Sequence, residues 1–240
     1  MTEHAIEFRS EMTVDLVRSS AQDADVLFAA RVSTKGESSL EDVNADATKS
    51  AGLINYLMRD RHGSPFEHNS MTFYVQAPIF VFREFMRHRI ASYNEESGRY
   101  RELRPVFYVP GRDRKLVQVG KPGAYSFEPG TDEQHELVER EVKASCGQAY
   151  AAYQRMLDAG VAREVARAVL PVTIYSSMYV TMNARSLMNF LSLRTHREDT
   201  HFPSFPQREI EMVAERMETF WAELMPMTYA AFNANGRVAP

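Results

Sequence analysis

The stretch RHRIASYNEESGRY, residues 87–100, places Arg87, His88, Arg89 and Arg99 close together, and Arg101 and Arg104 follow in the chain. Ser92, Tyr93, Asn94, Glu95 and Ser97 lie between them. Guanidinium forks interleaved with short polar side chains are groups that hold phosphate oxygens and read a polar ring. The competing reading of such a charge run is a solvated loop with no ligand. Against it stands the preceding segment, IFVFREFM, which is apolar on most sides, so these cations leave a buried helix and point toward a cleft. The 240-residue chain balances 28 Lys+Arg with 32 Asp+Glu, for a net charge of −4. A general nucleic-acid binder carries a positive field. A local basic cluster on an acidic chain suits a small anionic ligand instead, although Tyr93 and Tyr100 beside the basic loop keep single-strand stacking as an alternative.

Other residues with chemical potential lie further along. At the helical period, NARSLMNFLSLR (183–194) puts Arg185, Asn189 and Ser192 on one face. Arg194 falls on the opposite stripe with Leu187, Phe190 and Leu191. Either its stem packs there while its head reaches water, or a polar ligand meets it at the helix end. Arg163 and Arg167 sit one turn apart, flanking Glu164. RHGSPFEH offers His62, Glu67 and His68, but their spacing matches no standard metal-ligand pattern, and Ser64 and Glu67 suit the lining of a cofactor pocket better. No G-x-G-x-x-G and no G-x-x-x-x-G-K occurs. The one cysteine, Cys146, excludes an intrachain disulfide and falls within a long amphipathic segment, as a packed thiol does.

These groups need elements to position them. The periodicities predict helices over 20–32, with Ser20 or Asp23 near the start, and over about 46–61, after a polar connection and closed near Gly63. SMTFYVQAP alternates as a strand that Pro78 stops, and a buried helix then runs from 79 to near Ile90. Residues 91–104 read as a loop turning at Gly98, and PVFYVP as a short strand. The Gly- and Pro-rich stretch 110–131 reads as a long loop, the nearest thing to a domain boundary, yet its flanks need each other's apolar faces. A long helix over 132–159 stops at Gly160, and a short one from 163 ends at Pro171. VTIYSSMYVTM is strand-like. Asn183 caps the helix ending near Arg194, and a Pro-rich loop leads to a final helix over about 207–225. The class is α+β (mixed α/β), a single domain over 1–240 with a small sheet flanked by long helices. The charged N-terminus has no signal-peptide core, and no apolar run approaches a membrane span, so no membrane association and a cytoplasmic location are expected.

Arg87-His88-Arg89, seven residues and then Ser97 form a motif that resembles the signature of the flavin-dependent thymidylate synthases, the ThyX family. SPFEH at 64–68, the run 77–100, REVARAVLP at 163–171 and NARSLMNFLSLR at 183–194 look like further blocks in the family's order. The resemblance implies a homotetramer with active sites between subunits, and a reaction that converts dUMP to dTMP. Methylenetetrahydrofolate is then the carbon donor, FAD the hydride carrier and NADPH the reductant, while the acidic balance and the ligand spacing above lead us to expect no nucleic-acid partner and no metal. Carried over by position, Ser64, Arg87, His88, Arg89, Glu95, Asn183, Arg185 and Asn189 are expected at FAD. Glu84, Arg87, Ser97, Gly98, Arg99, Arg167 and Arg194 are expected at dUMP, with Arg194 as the catalytic group that polarises the uracil ring. Two places depart from the family pattern. Glu84 stands where a Gln is frequent, and the segment after Arg194 is longer, so either His196, His201 or neither assists flavin binding.

Overall fold

The computed structural model of the chain describes residues 5–40, 46–122 and 124–240. Helix and sheet are mixed, as expected. In chain order the described strands and α-helices are β1 (Glu7–Arg9), β2 (Thr13–Ser19), α1 (Asp23–Lys35), α2 (Ala47–Arg59), β3 (Met71–Pro78), α3 (Ile79–Phe85), β4 (Ser92–Glu95) and β5 (Val106–Tyr108). There follow β6 (Val117–Lys121), β7 (Ala124–Glu128), α4 (Asp132–Asp158), α5 (Arg163–Ala166), β8 (Tyr175–Met182), α6 (Ala184–Arg194), α7 (Arg208–Leu224) and α8 (Pro226–Ala234). Four strands form a sheet in the order β2-β3-β8-β4, and β1-β5 and β6-β7 form two smaller ones.

Two compact units divide the chain. One holds residues 1–13, 76–87 and 94–178. Its core is a cluster in which Cys146, Tyr150 and Tyr153 of α4 pack with Phe107 and Ile174. That helix begins at a capping box, with Thr131 accepting from the Gln134 N–H at 3.3 Å and the Gln134 side chain accepting from Thr131 N–H at 2.9 Å. Gly160 follows it at φ +79°, the left-handed conformation that ends helices. In the same unit β1 pairs in parallel with β5, Phe8 opposite Phe107.

The other unit holds residues 14–75, 88–93 and 179–240. On α7 the buried residues Ile210, Val213, Ala214, Met217 and Trp221 recur at the helical period. They face the core with Phe232 of α8, whose ring meets Trp221 edge-on at 5.7 Å. Asp23, at the start of α1, accepts from the N–H groups of Met227 and Thr228 and so caps α8.

Several expectations need correction. The helix after Pro78 ends at Phe85, not near Ile90, and residues 92–95 are a strand within the expected loop. Hydrogen bonding explains both, because Glu96 N–H donates to the Ser177 carbonyl at 2.8 Å and draws this stretch along β8. The stretch 110–131 is no open loop. It contains the β6–β7 hairpin, in register from Val117 opposite Glu128 to Lys121 opposite Ala124, and all of it lies inside one unit. The chain also continues past the expected final helix into α8, and β1 and β2 were not anticipated. Part of the polar connection before α2 falls at 41–45, outside the described residues.

Candidate active site

The expected site residues fall into two groups, one in each unit. In the unit containing α6, Asn183 is the predicted cap, its side-chain oxygen accepting from Ser186 N–H at 2.9 Å. The same turn is tied down when Ala184 N–H donates to the Asn69 side chain at 2.8 Å. Arg185 leaves this turn and donates through Nε to the Pro240 carbonyl at 2.6 Å, while its Nη1 pairs with Glu67. Gly63 makes room for it, since a Cβ there would lie 2.5 Å from the Arg185 Cζ. That close approach brings the exposed Ser64, at the start of the short 3-10 turn Ser64–Glu67, into the neighbourhood of Arg185. Asn189 is exposed on the next turn of α6, its amide donating to the Arg185 carbonyl at 3.1 Å.

At the far end of α6 lies Arg194, half-buried. Its Nε donates to Nε2 of His88 at 3.0 Å. An imidazole nitrogen accepts only when it carries no proton, so His88 is neutral with its hydrogen on Nδ1. The surroundings hold it so. Burial, and secondarily the Arg194 charge, depress its pKa to about 4. The ring stands edge-on to Phe190 at 4.9 Å, and the backbone carbonyl of His88 accepts from Tyr93 Oη at 2.6 Å. The result is a permanent cation aimed by a neutral base.

The second group lies in the other unit. Glu84 is half-buried on α3, and its carbonyl accepts from Arg87 N–H at 3.2 Å. Ser97, Gly98 and Arg99 form a turn in which Ser97 Oγ accepts from Arg99 N–H at 3.3 Å. Gly98 is buried, and a Cβ there would press within 3.1 Å of Leu103 and 3.3 Å of Arg167. Glycine therefore lets Arg167 run alongside this turn. Burial raises the pKa of Glu95, against a bond from Ser176 and the charges of Arg167 and Arg83. Arg99 pairs with Glu164 at 2.9 Å and Arg101 with Glu96 at 3.1 Å. Arg87 in this unit and Arg89 in the unit of α6 are exposed and form no ion pair among the described residues.

Sequence reasoning missed Glu164 and Glu67 as partners of Arg99 and Arg185. No local pattern carries them, since they are separated by 65 and 118 residues. His62 stacks on Tyr56 at 5.6 Å and Glu67 is engaged by Arg185, and no group of three metal-ligating side chains occurs among the described residues. His196 Nδ1 contacts the Ser204 carbonyl at 2.8 Å, while the exposed His201 donates its N–H to the Gly236 carbonyl at 2.9 Å. Cys146 is buried against Thr173, and burial raises its pKa, opposite to what a nucleophilic thiolate needs.

Residues 15–227 match the family described as Thymidylate synthase complementing protein. A protein of Streptomyces coelicolor named flavin-dependent thymidylate synthase is 72% identical over 236 residues, which cover 98% of this chain and 96% of that one. One of the same name from Thermotoga neapolitana is 43% identical over 91% of this chain and 89% of its own. A crystal structure of a UMP/dUMP methylase, PolB of Streptomyces cacaoi, bound with 5-Br dUMP, superposes with a TM-score of 0.93 at 59% identity, covering 98% of this chain and 100% of that one. With arginine, histidine and serine spaced as in the family signature and the match running nearly end to end, the chain belongs to the flavin-dependent thymidylate synthases.

Proposed function

We infer that the protein methylates dUMP to dTMP as a flavin-dependent thymidylate synthase. The whole-length likeness to enzymes of that name carries this reading. Its finer parts are that the flavin is FAD, that NADPH reduces it, and that methylenetetrahydrofolate donates the carbon.

The donor set suits such a cofactor. Arg87 and Arg89 are exposed cations without a carboxylate partner among the described residues, and fit the diphosphate of a flavin dinucleotide. Ser64, Asn189 and Arg185 supply further hydrogen-bond donors. In this reading Ser64, Arg87, His88, Arg89, Glu95, Asn183, Arg185 and Asn189 hold FAD, which when bound supplies the hydride that completes the methyl group. Ser97, Gly98, Arg99 and Arg167 receive the phosphate of dUMP, together with Arg87. Glu84, a carboxylate near that anion, is tolerable because Arg83 and Arg87 accompany it in the sequence.

Arg194 does the chemical work on the substrate. A fixed cation beside the uracil carbonyl and imide favours negative charge on the ring and makes its carbon nucleophilic toward the one-carbon unit. Neutral His88 suits this role, because it fixes the direction of the guanidinium without itself adding a negative charge. Cys146, buried and protonated, is not required. Ser97 then serves as a hydrogen-bonding group, since its Oγ meets a backbone N–H, that of Arg99, and a nucleophile would need a base there.

The same reading includes a cytoplasmic homotetramer in which residues 1–240 act as one domain. The likeness to a methylase bound with 5-Br UMP, 58% identical at a TM-score of 0.90, favours UMP as a second substrate. The direct test is the absorption spectrum and NADPH oxidation of the purified protein. A yellow protein that oxidises NADPH faster when dUMP is added, with dTMP as product, bears the reading out. A preparation that cannot be loaded with FAD and forms no dTMP sinks it. Replacing dUMP by UMP in the same assay decides the second substrate.

A further inference from the structure

We propose that Arg237 is a positioning residue for Arg194 and acts through Thr195, an inference that rests on the role of Arg194 given above. Thr195 is the residue that ends α6, directly after Arg194, and it is almost fully buried. Every polar group it has is engaged. Its N–H donates to the Leu191 carbonyl at 3.0 Å, its Oγ1 donates to the same carbonyl at 2.7 Å, and its own carbonyl accepts from Ser204 Oγ at 2.6 Å. The remaining lone pair of Oγ1 accepts from Nη2 of Arg237 at 2.9 Å.

Arg237 is itself an expensive residue to place there. It is 4% exposed, its backbone adopts the left-handed conformation at φ 58°, and its guanidinium lies 4.9 Å over the Phe232 ring. Nη1 donates to Glu218 Oε1 and to Asn233 Oδ1, both at 2.6 Å, and Arg197 donates to the second oxygen of Glu218 at 3.0 Å. A buried ion pair of this kind adds little stability over apolar packing of the same shape, and non-glycine residues in that backbone region are strained. What the arrangement does supply is geometry. A cation is set on the hydroxyl of the residue that ends α6, at the end where the helix dipole favours positive charge, and the residue one step beyond Arg194 is held by four hydrogen bonds. The Arg194 side chain is held at its other end by His88. Both ends of the catalytic arginine are therefore clamped.

The test uses the full-length, FAD-loaded enzyme and four variants, with turnover measured well below each thermal midpoint. Thr195→Val keeps the shape and the Arg237–Glu218 pair but removes the hydroxyl. It should lower kcat about tenfold or more, because small misplacements of a catalytic group are that costly, while flavin content and the KM for dUMP stay close to wild type. Arg237→Lys should lower kcat likewise, and Thr195→Ser should restore it. Should Arg237→Lys fail to fold, the two Thr195 variants carry the test. Wild-type kcat in folded Thr195→Val with an inactive Arg194→Ala overturns the positioning role and leaves Arg194 its own. Equal losses in Thr195→Ser and Thr195→Val also overturn it, since the hydroxyl is then not the agent. Wild-type kcat in Arg194→Ala removes the role of Arg194 and this proposal together.

Discussion

The His88–Arg194 corner and the turn around Arg99 set different groups against a guanidinium. Arg194 is half-buried, and its Nε is held by a neutral imidazole, so its charge stays uncompensated by that partner. Arg99 is exposed and paired with Glu164, as Arg101 is with Glu96. A group meant to polarise a ring must keep its field and its direction in low dielectric. A group meant to catch a phosphate can be parked on a carboxylate, because exposed pairs of this kind contribute only about 0–1 kcal/mol and exchange readily. In the proposed reading, burial and the imidazole contact mark the polarising arginine, and exposure on a carboxylate the binding one, where residue type alone does not distinguish them.

The sharpest way to break this contrast is Arg194→Ala. It should keep flavin and fold but lower turnover by roughly 10²–10³, the worth of one preorganised donor; near-normal dTMP formation would mean that another group polarises the ring. Next comes Arg99→Ala. It should raise the KM for dUMP by about 10–100-fold, since a hydrogen bond to a charged group is worth roughly 1.5–3 kcal/mol. Flavin affinity should barely move, and equal loss of both ligands would show that the two sites are exchanged.

A smaller effect is expected from pH. His88 titrates near 6.5 when unfolded and at about 4 when folded. Its contribution to stability is therefore fully present above about pH 6.5 and is lost as the pH falls toward 4, where the folded ring also takes up its proton. Solvent screening of the half-buried ring brings the amount to on the order of 1–2 kcal/mol. Urea unfolding of wild type and His88→Phe at pH 7 and pH 4.5 reads this directly, and identical pH dependence in the two proteins would refute a neutral, desolvated His88. The smallest change belongs to Glu164→Gln. Releasing Arg99 should tighten dUMP binding by at most about fivefold, the limit of an exposed ion pair of about 1 kcal/mol; weaker binding would mean that Glu164 orients Arg99 rather than competing for it.

Much of the helical framework was legible beforehand. The α4 helix with its Gly160 stop, the Asn183 cap and the strand up to Pro78 all follow from signals within a few residues of one another. The β6–β7 hairpin escaped notice because glycine and proline around it obscured short alternating runs such as Val117-Gln118-Val119. Met86 to Ile90 fits a helical pattern, so the sequence alone extends the helix after Pro78 past its true end, and only pairing along β8 shows that the chain has already turned. The role of Arg237 was invisible, since a lone arginine near the end of the sequence gives no hint that it will be buried on Glu218.

By itself the sequence determined most of the helices, the strand up to Pro78, the Asn183 cap and the Gly160 stop, and that cations gather around residues 87–104. Those properties depend on side-chain periodicity and on backbone bonds that span about four residues. Only the tertiary structure decided which cation faces a neutral base and which faces a carboxylate. His88 and Arg194 are 106 residues apart, and Thr195 and Arg237 are 42 apart. Contacts of that range are set by how the elements pack, and the same packing supplies the burial that takes the proton from His88.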